Sequence, residues 1–202
     1  MPRRAMLWSV LLGLLASACG EEARNGAAQH AEMTLADFGS LGGDFALQDH
    51  QGRPFALSQA RGRVVLLFFG YTHCPDFCPL ALSRVARALE LVGPARERVL
   101  VVLVSVDPGR DDPARLSQYL SGFGLSAIGL TGTESEVAAV ARQYGATYER
   151  QPATSEGGYA VDHSTYLYLI DPAGRLRYLF GHQEPPERLA AGIQAVLVAA
   201  GP

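Results

Sequence analysis

Two cysteines, Cys74 and Cys78, lie close together in the run Gly70-Tyr71-Thr72-His73-Cys74-Pro75-Asp76-Phe77-Cys78-Pro79. With three intervening residues, their sulfurs can face one point as soft metal ligands, and they can also close a disulfide. Dithiol oxidoreductases use two intervening residues, so the spacing here departs from that pattern. A structural disulfide is the plain alternative for an exported protein. It does not explain why the pair stands where a helix begins, between two prolines. At such a place the helix dipole and its unpaired N–H groups lower a thiol's pKa and favour thiolate.

A two-sulfur site needs a further ligand or a redox partner, and the chain offers five histidines. His30 falls in a small, polar stretch and His50 in a turn, so both read as solvent-exposed. His73 can tune its neighbour Cys74, but adjacent side chains rarely converge on one metal. His182 precedes Gln183-Glu184-Pro185-Pro186 and has no evident partner. His163 differs. It sits in Tyr159-Ala160-Val161-Asp162-His163-Ser164, at the entry to a strand ending Tyr168-Leu169-Ile170-Asp171.

The elements that would hold these residues follow from hydrophobic period. Phe45, Leu47, Phe55 and Leu57 alternate around Asp49-His50-Gln51-Gly52, which predicts a β-hairpin. Arg63 to Phe69 and Val99 to Val106 are continuous apolar runs, as strands buried on both faces require. From Pro79 onward Leu82, Val85, Ala86, Leu89 and Val92 recur at helical spacing and stop at Gly93-Pro94. Asp112-Pro113 starts a helix to about Phe123. Thr133 and Glu136 make a capping box for another, closed by Gly145. Ser164 to Ile170 and Leu176 to Phe180 read as strands joined by the turn at Asp171-Pro172-Ala173-Gly174. A last helix runs from Pro186 and buries Leu189, Ile193, Val196 and Leu197. The order is hairpin, β, α, β, α, β, α, ββ, α. It predicts an α/β domain with a central, mostly parallel sheet and helices on both faces. The closing ββ hairpin and helix match the thioredoxin-like plan, in which the loop that here carries His163 faces the active cysteines across the sheet end.

The chain has 202 residues, a net charge of −3 and 48% hydrophobic residues, enough for one domain with a real core. That charge excludes a nucleic-acid binder working by phosphate neutralisation. All basic residues are arginine, so lysine-based phosphate cradles and Schiff bases are excluded as well. Three cysteines are too few for a disulfide scaffold, and the odd one is Cys19. Arg3-Arg4, an apolar run from Ala5 to Leu15 and Ala16-Ser17-Ala18 make a secretory signal, too short to span a bilayer comfortably. Cys19 follows directly and resembles the lipobox cysteine of bacterial lipoproteins, with Ala16 where Leu is usual. The expected organisation is a signal over residues 1–18, a tether over 19–41 beginning at lipidated Cys19, and a domain over 42–202. The mature protein is expected to work outside the cytoplasm, anchored to the membrane.

Three motifs in order carry a family resemblance. Gly70 to Pro79, Val106-Asp107-Pro108-Gly109-Arg110-Asp111-Asp112-Pro113 and Val161-Asp162-His163-Ser164 resemble the signatures of the Sco/SenC proteins over about residues 42–200. The resemblance implies one copper ion held by Cys74, Cys78 and His163, with Asp162 orienting the histidine or touching the ion. It implies a task in assembling the CuA centre of cytochrome c oxidase, with the subunit carrying that centre as partner and a thioredoxin-like protein as possible reductant. The chemistry agrees. Two thiolates and an imidazole suit trigonal Cu(I) and hold Cu(II) when a water or carboxylate is added.

Rival readings use the same sulfurs. A reductase that keeps the copper-site cysteines of the oxidase subunit reduced is the chief one. Common reductases of this fold place a cis-proline at the position of Thr165. Peroxiredoxins carry a Pro-x-x-x-Thr-x-x-Cys loop, absent here. Zinc storage lacks a fourth strong ligand. A redox or copper sensor would share every residue. A metallochaperone rather than an enzyme is the expected role.

Overall fold

The computed structural model describes residues 35–153, 158–181 and 183–201. The signal segment, Cys19, His30 and His182 lie outside the described residues.

Strands β1 (Ala46–Asp49) and β2 (Pro54–Ala56) form the expected hairpin, with Leu47 facing Phe55. Asp49 closes its turn by accepting the N–H groups of Gln51 and Arg53 together with the Arg53 guanidinium. His50 is not simply exposed: its Nδ1 takes the Gly129 N–H at 2.9 Å and ties this turn to the sheet.

Strands β3 (Val64–Gly70) and β4 (Val99–Ser105) are buried at every position and run parallel. β5 (Ala127–Thr131) extends the parallel set beyond β4. On the other side β8 (Leu167–Ile170) and β9 (Leu176–Phe180) add antiparallel strands, giving the order β2-β1-β5-β4-β3-β8-β9. The centre is thus parallel, as strand–helix alternation requires, and the flanks are antiparallel because hairpins supply them. Two short strands, β6 (Tyr148–Arg150) and β7 (Val161–His163), pair only with each other in a separate two-stranded sheet.

Four helices cover the sheet: α1 (Phe77–Val92), α2 (Pro113–Ser121), α3 (Glu134–Gln143) and α4 (Pro186–Ala200). Side-chain alternation splits the buried strands between two layers. Val65, Leu67 and Phe69 of β3, with Leu100, Val102 and Val104 of β4, join Val137, Val140 and Tyr144 on the α3 side. Leu66, Phe68 and Leu103 are left for the opposite face, where α1 and α4 pack on each other. The capping residues are as expected. Asp112 accepts the Arg115 N–H, and Thr133 and Glu136 cap reciprocally.

The domain begins earlier than composition suggests. The Ala36 N–H donates to the Arg177 carbonyl at 3.0 Å, and Arg177 Nε returns a bond to the Ala36 carbonyl. Phe38 packs against the core. No helix among the described residues is long and apolar enough to cross a membrane.

Candidate metal centre

The centre lies at the carboxyl end of β3, where open α/β sheets place their ligands. After Gly70 the chain turns at Tyr71, whose carbonyl takes the Cys74 N–H at 3.3 Å. α1 then begins at Phe77, two residues before Pro79, which puts Cys78 in its first turn. Asp76 supplies no side-chain cap. A sulfur does part of that work instead: Cys74 Sγ accepts the Cys78 N–H at 3.4 Å.

Cys74 and Cys78 are both free, and only 7% and 2% of their surfaces are exposed. Their sulfurs and His163 Nε2 all lie within 4.8 Å of one another, the one such grouping among the described residues. His163 Nε2 stands 3.7 Å from Cys78 Sγ. Its Nδ1 lies 2.9 Å from the Ser164 carbonyl, which can only accept. Nδ1 therefore carries a proton, and Nε2 is the ring nitrogen that faces the sulfurs and would meet a metal. The Tyr71 ring meets the imidazole edge to face at 5.9 Å, and its hydroxyl accepts the Val161 N–H.

The two thiols are unequal. The Cys78 thiol donates to Cys74, and with His163 and the N–H groups of Cys78 and Asp76 this holds Cys74 far below an ordinary thiol. Cys78 is pushed up, by giving that hydrogen bond and by its deeper burial. The two shifts, opposite in direction, favour one thiolate and one thiol over two of either kind.

Asp162 does not perform the expected task. On β7 successive side chains point to opposite faces, so Asp162 faces away from the sulfurs and accepts from Gln151 Nε2 at 2.8 Å. The Ser164 carbonyl orients the histidine instead. His73 also turns away, with Nδ1 3.2 Å from Thr72 Oγ1 and 3.7 Å from Asp111.

Several supporting residues had no assigned role at the level of sequence. Asp111 is fully buried beneath the cysteine loop and accepts from the Thr72 N–H, the Thr72 hydroxyl and the Ser105 hydroxyl at 2.6–2.9 Å. Those bonds fix the loop's first residues to the end of β4. The signal was present in Val106 to Pro113, four acidic or basic residues directly after a strand apolar up to Ser105, where charge has no use unless it is paired.

A family model described as SCO1/SenC matches residues 34–198. The chain belongs to the SCO1/SenC family. Among curated relatives, the SCO2 homolog of mouse mitochondria is 36% identical over 159 residues, covering 78% of this chain and 62% of its own length. This SCO1/SenC chain therefore spans about three fifths of such mitochondrial relatives. A putative copper-binding protein of Stutzerimonas stutzeri is 40% identical over 153 residues, covering 75% and 72% of the two chains. Among solved structures, Bradyrhizobium japonicum ScoI with copper bound matches with a TM-score of 0.71 and 38% identity, covering 78% of this chain and 99% of that one. Apo Sco1 from Thermus thermophilus matches at 0.74 with 38% identity, covering 84% and 99%. The family and these likenesses establish the thioredoxin-like α/β fold expected from element order.

Proposed function

We propose that this SCO1/SenC protein is a copper chaperone that serves cytochrome c oxidase assembly, carrying one copper ion between Cys74, Cys78 and His163 for the CuA centre. The carrying observation is the convergence of two sulfurs and one imidazole nitrogen within 4.8 Å at an open sheet end. Three soft or borderline donors suit Cu(I), and a site short of a fourth strong ligand can hand its ion on. The B. japonicum relative described with copper bound supports the same reading. The chain's anchor is Cys19, lipidated after removal of residues 1–18, and its workplace is the extracytoplasmic side of a bacterial membrane. Its partner is the oxidase subunit that carries the CuA centre, with a thioredoxin-like protein as reductant.

A second reading, a dedicated thiol–disulfide reductase, is favoured by one observation. A thiolate at Cys74 beside a protonated, more deeply buried Cys78 is the asymmetry of an attacking and a resolving thiol.

One experiment separates them. The reduced full-length chain is titrated anaerobically with Cu(I) against a competing chelator, while reduction of a model disulfide is followed on the same sample. One tightly held copper, blocked by prior oxidation of the cysteines, with feeble disulfide turnover, is the expected result. Weak copper binding with brisk exchange would make the protein a reductase.

A further inference from the structure

His163 rides on a hairpin that shares no strand pairing with the main sheet. The seven-stranded ladder therefore does not decide where the imidazole sits. Contacts from this hairpin to the body of the domain must do so, and they gather at the loop after β4.

Tyr159, two residues before β7, gives its hydroxyl to Asp107 Oδ1 at 2.7 Å. Asp107 is fully buried and also takes the Arg110 Nε–H. The Arg110 guanidinium lies over the Tyr159 ring at 3.5 Å from its centroid, and Arg150 of β6 lies over the same ring at 4.6 Å. Arg150 further reaches Asp107 at 3.8 Å and Glu134 of α3 at 3.3 Å. Arg110 is also 5.8 Å from the Tyr71 ring, the ring that meets His163. Among the described residues, the buried Arg110 Nη2 has no hydrogen-bond partner. An orphaned buried donor is costly. It marks a guanidinium held for its flat face rather than for its full set of hydrogen bonds.

We propose that Asp107, Arg110 and Tyr159 form a clamp that places the third ligand, fixing the hairpin so that His163 stands over the two sulfurs. This rests on the reading of His163 as a metal ligand. Asp107, Arg110 and Tyr159 are positioning residues and touch no ion. Their loss frees the imidazole while leaving both sulfurs on α1 and its leading loop untouched. Cu(II), which needs the nitrogen, should then suffer more than Cu(I), which two thiolates can hold.

The test compares the full-length chain with Tyr159→Leu and Tyr159→Phe. Phenylalanine keeps the stacking face and gives up only the hydroxyl; leucine gives up both. In the metal-free proteins, amide exchange of Val161 is measured. In the copper forms, Cu(I) and Cu(II) affinities and the nitrogen coupling in the Cu(II) EPR spectrum are measured. Tyr159→Leu should exchange Val161 about tenfold faster and bind Cu(II) about tenfold more weakly, the loss of a stacked cation pair and one hydrogen bond. Its Cu(I) affinity should stay within about threefold, and Tyr159→Phe should recover most of the Cu(II) loss. Unchanged Val161 exchange and nitrogen coupling in Tyr159→Leu would overturn the clamp. So would equal losses for both oxidation states, which indicate general loosening. If the parent chain itself shows no nitrogen coupling, the ligand role of His163 falls, and Val161 exchange in the metal-free proteins still decides whether the clamp holds the hairpin.

Discussion

Cys78 packs so closely over Gly70 that a Cβ at residue 70 would lie 2.7 Å from its Sγ, and 3.2 Å from Leu103 Cδ1. The end of β3 is bare because a sulfur occupies the space a side chain would take. Gly70→Ala must push that sulfur outward or bend the strand. Overpacking of this kind costs about 1–3 kcal/mol, to be read from denaturant melts. Copper affinity should fall about tenfold or more, since the displaced atom is one of the proposed ligands. An alanine variant with parental affinity would show that the sulfur position is not critical.

His163→Ala separates the two oxidation states. Cu(II) binding should weaken by about two orders of magnitude and lose its nitrogen coupling, while Cu(I) persists on two thiolates. Competitive titration and EPR of the two loaded forms check this. An unchanged Cu(II) spectrum would remove His163 from the centre.

The Cys74 thiolate owes most to the hydrogen bond from the Cys78 thiol. In Cys78→Ala that donor is gone, so the thiolate absorbance near the far ultraviolet should titrate at higher pH than in the parent chain. The same asymmetry links stability to pH. Between the depressed native midpoint of Cys74 and the ordinary thiol value of 9.0, the folded chain is ionised where the unfolded chain is not, so stability rises with pH. Above that value the unfolded chain also loses the proton that the fold keeps on Cys78, and stability declines. Denaturant melts of the reduced protein across neutral pH, compared with Cys74→Ala, isolate the rising limb. A variant with the parental slope would assign the thiolate elsewhere.

Asp111→Ala leaves the Thr72 N–H, its hydroxyl and the Ser105 hydroxyl without their common acceptor. Stranded buried donors should destabilise the fold by about 3 kcal/mol or more. Copper affinity should fall too, because the strand-to-loop tie that sets Cys74 is cut. Thermal melts and Cu(I) competition measure both effects, and a stable variant with loose copper would place the role of Asp111 in the loop alone.

Much of this was legible in residue types. The two buried strands, the capping box and the last helix follow from period and caps. Cys74, Cys78 and His163 stood out because soft ligands at a strand end and a helix start have few ordinary uses. What escaped the sequence was direction and local exchange of partners. Helix α1 starts before Pro79 because the Cys74 sulfur accepts an N–H there, a bond no propensity records. The strand expected from Ser164 begins only at Leu167, as β8, while the three residues before Ser164 form β7 and pair with Tyr148–Arg150, a segment without apolar alternation. Asp162, adjacent to His163 in sequence, is on the far face of the same strand, where neighbours point apart. The first contacts of Ala36 run through its own backbone N–H and carbonyl and leave no pattern in its side chain.

The entry at Ala36 has a geometric consequence. Its partner Arg177 follows Leu176, which pairs with Ile170, and Ile170 in turn faces Val65 at the start of β3. The sulfurs sit past the other end of that strand, about 20 Å away along its axis. The described chain therefore enters near one end of β3 and carries its cluster of two sulfurs and an imidazole at the other. The polarity of one buried strand thus doubles as a direction of presentation, with the sulfurs set away from the point where the described chain enters.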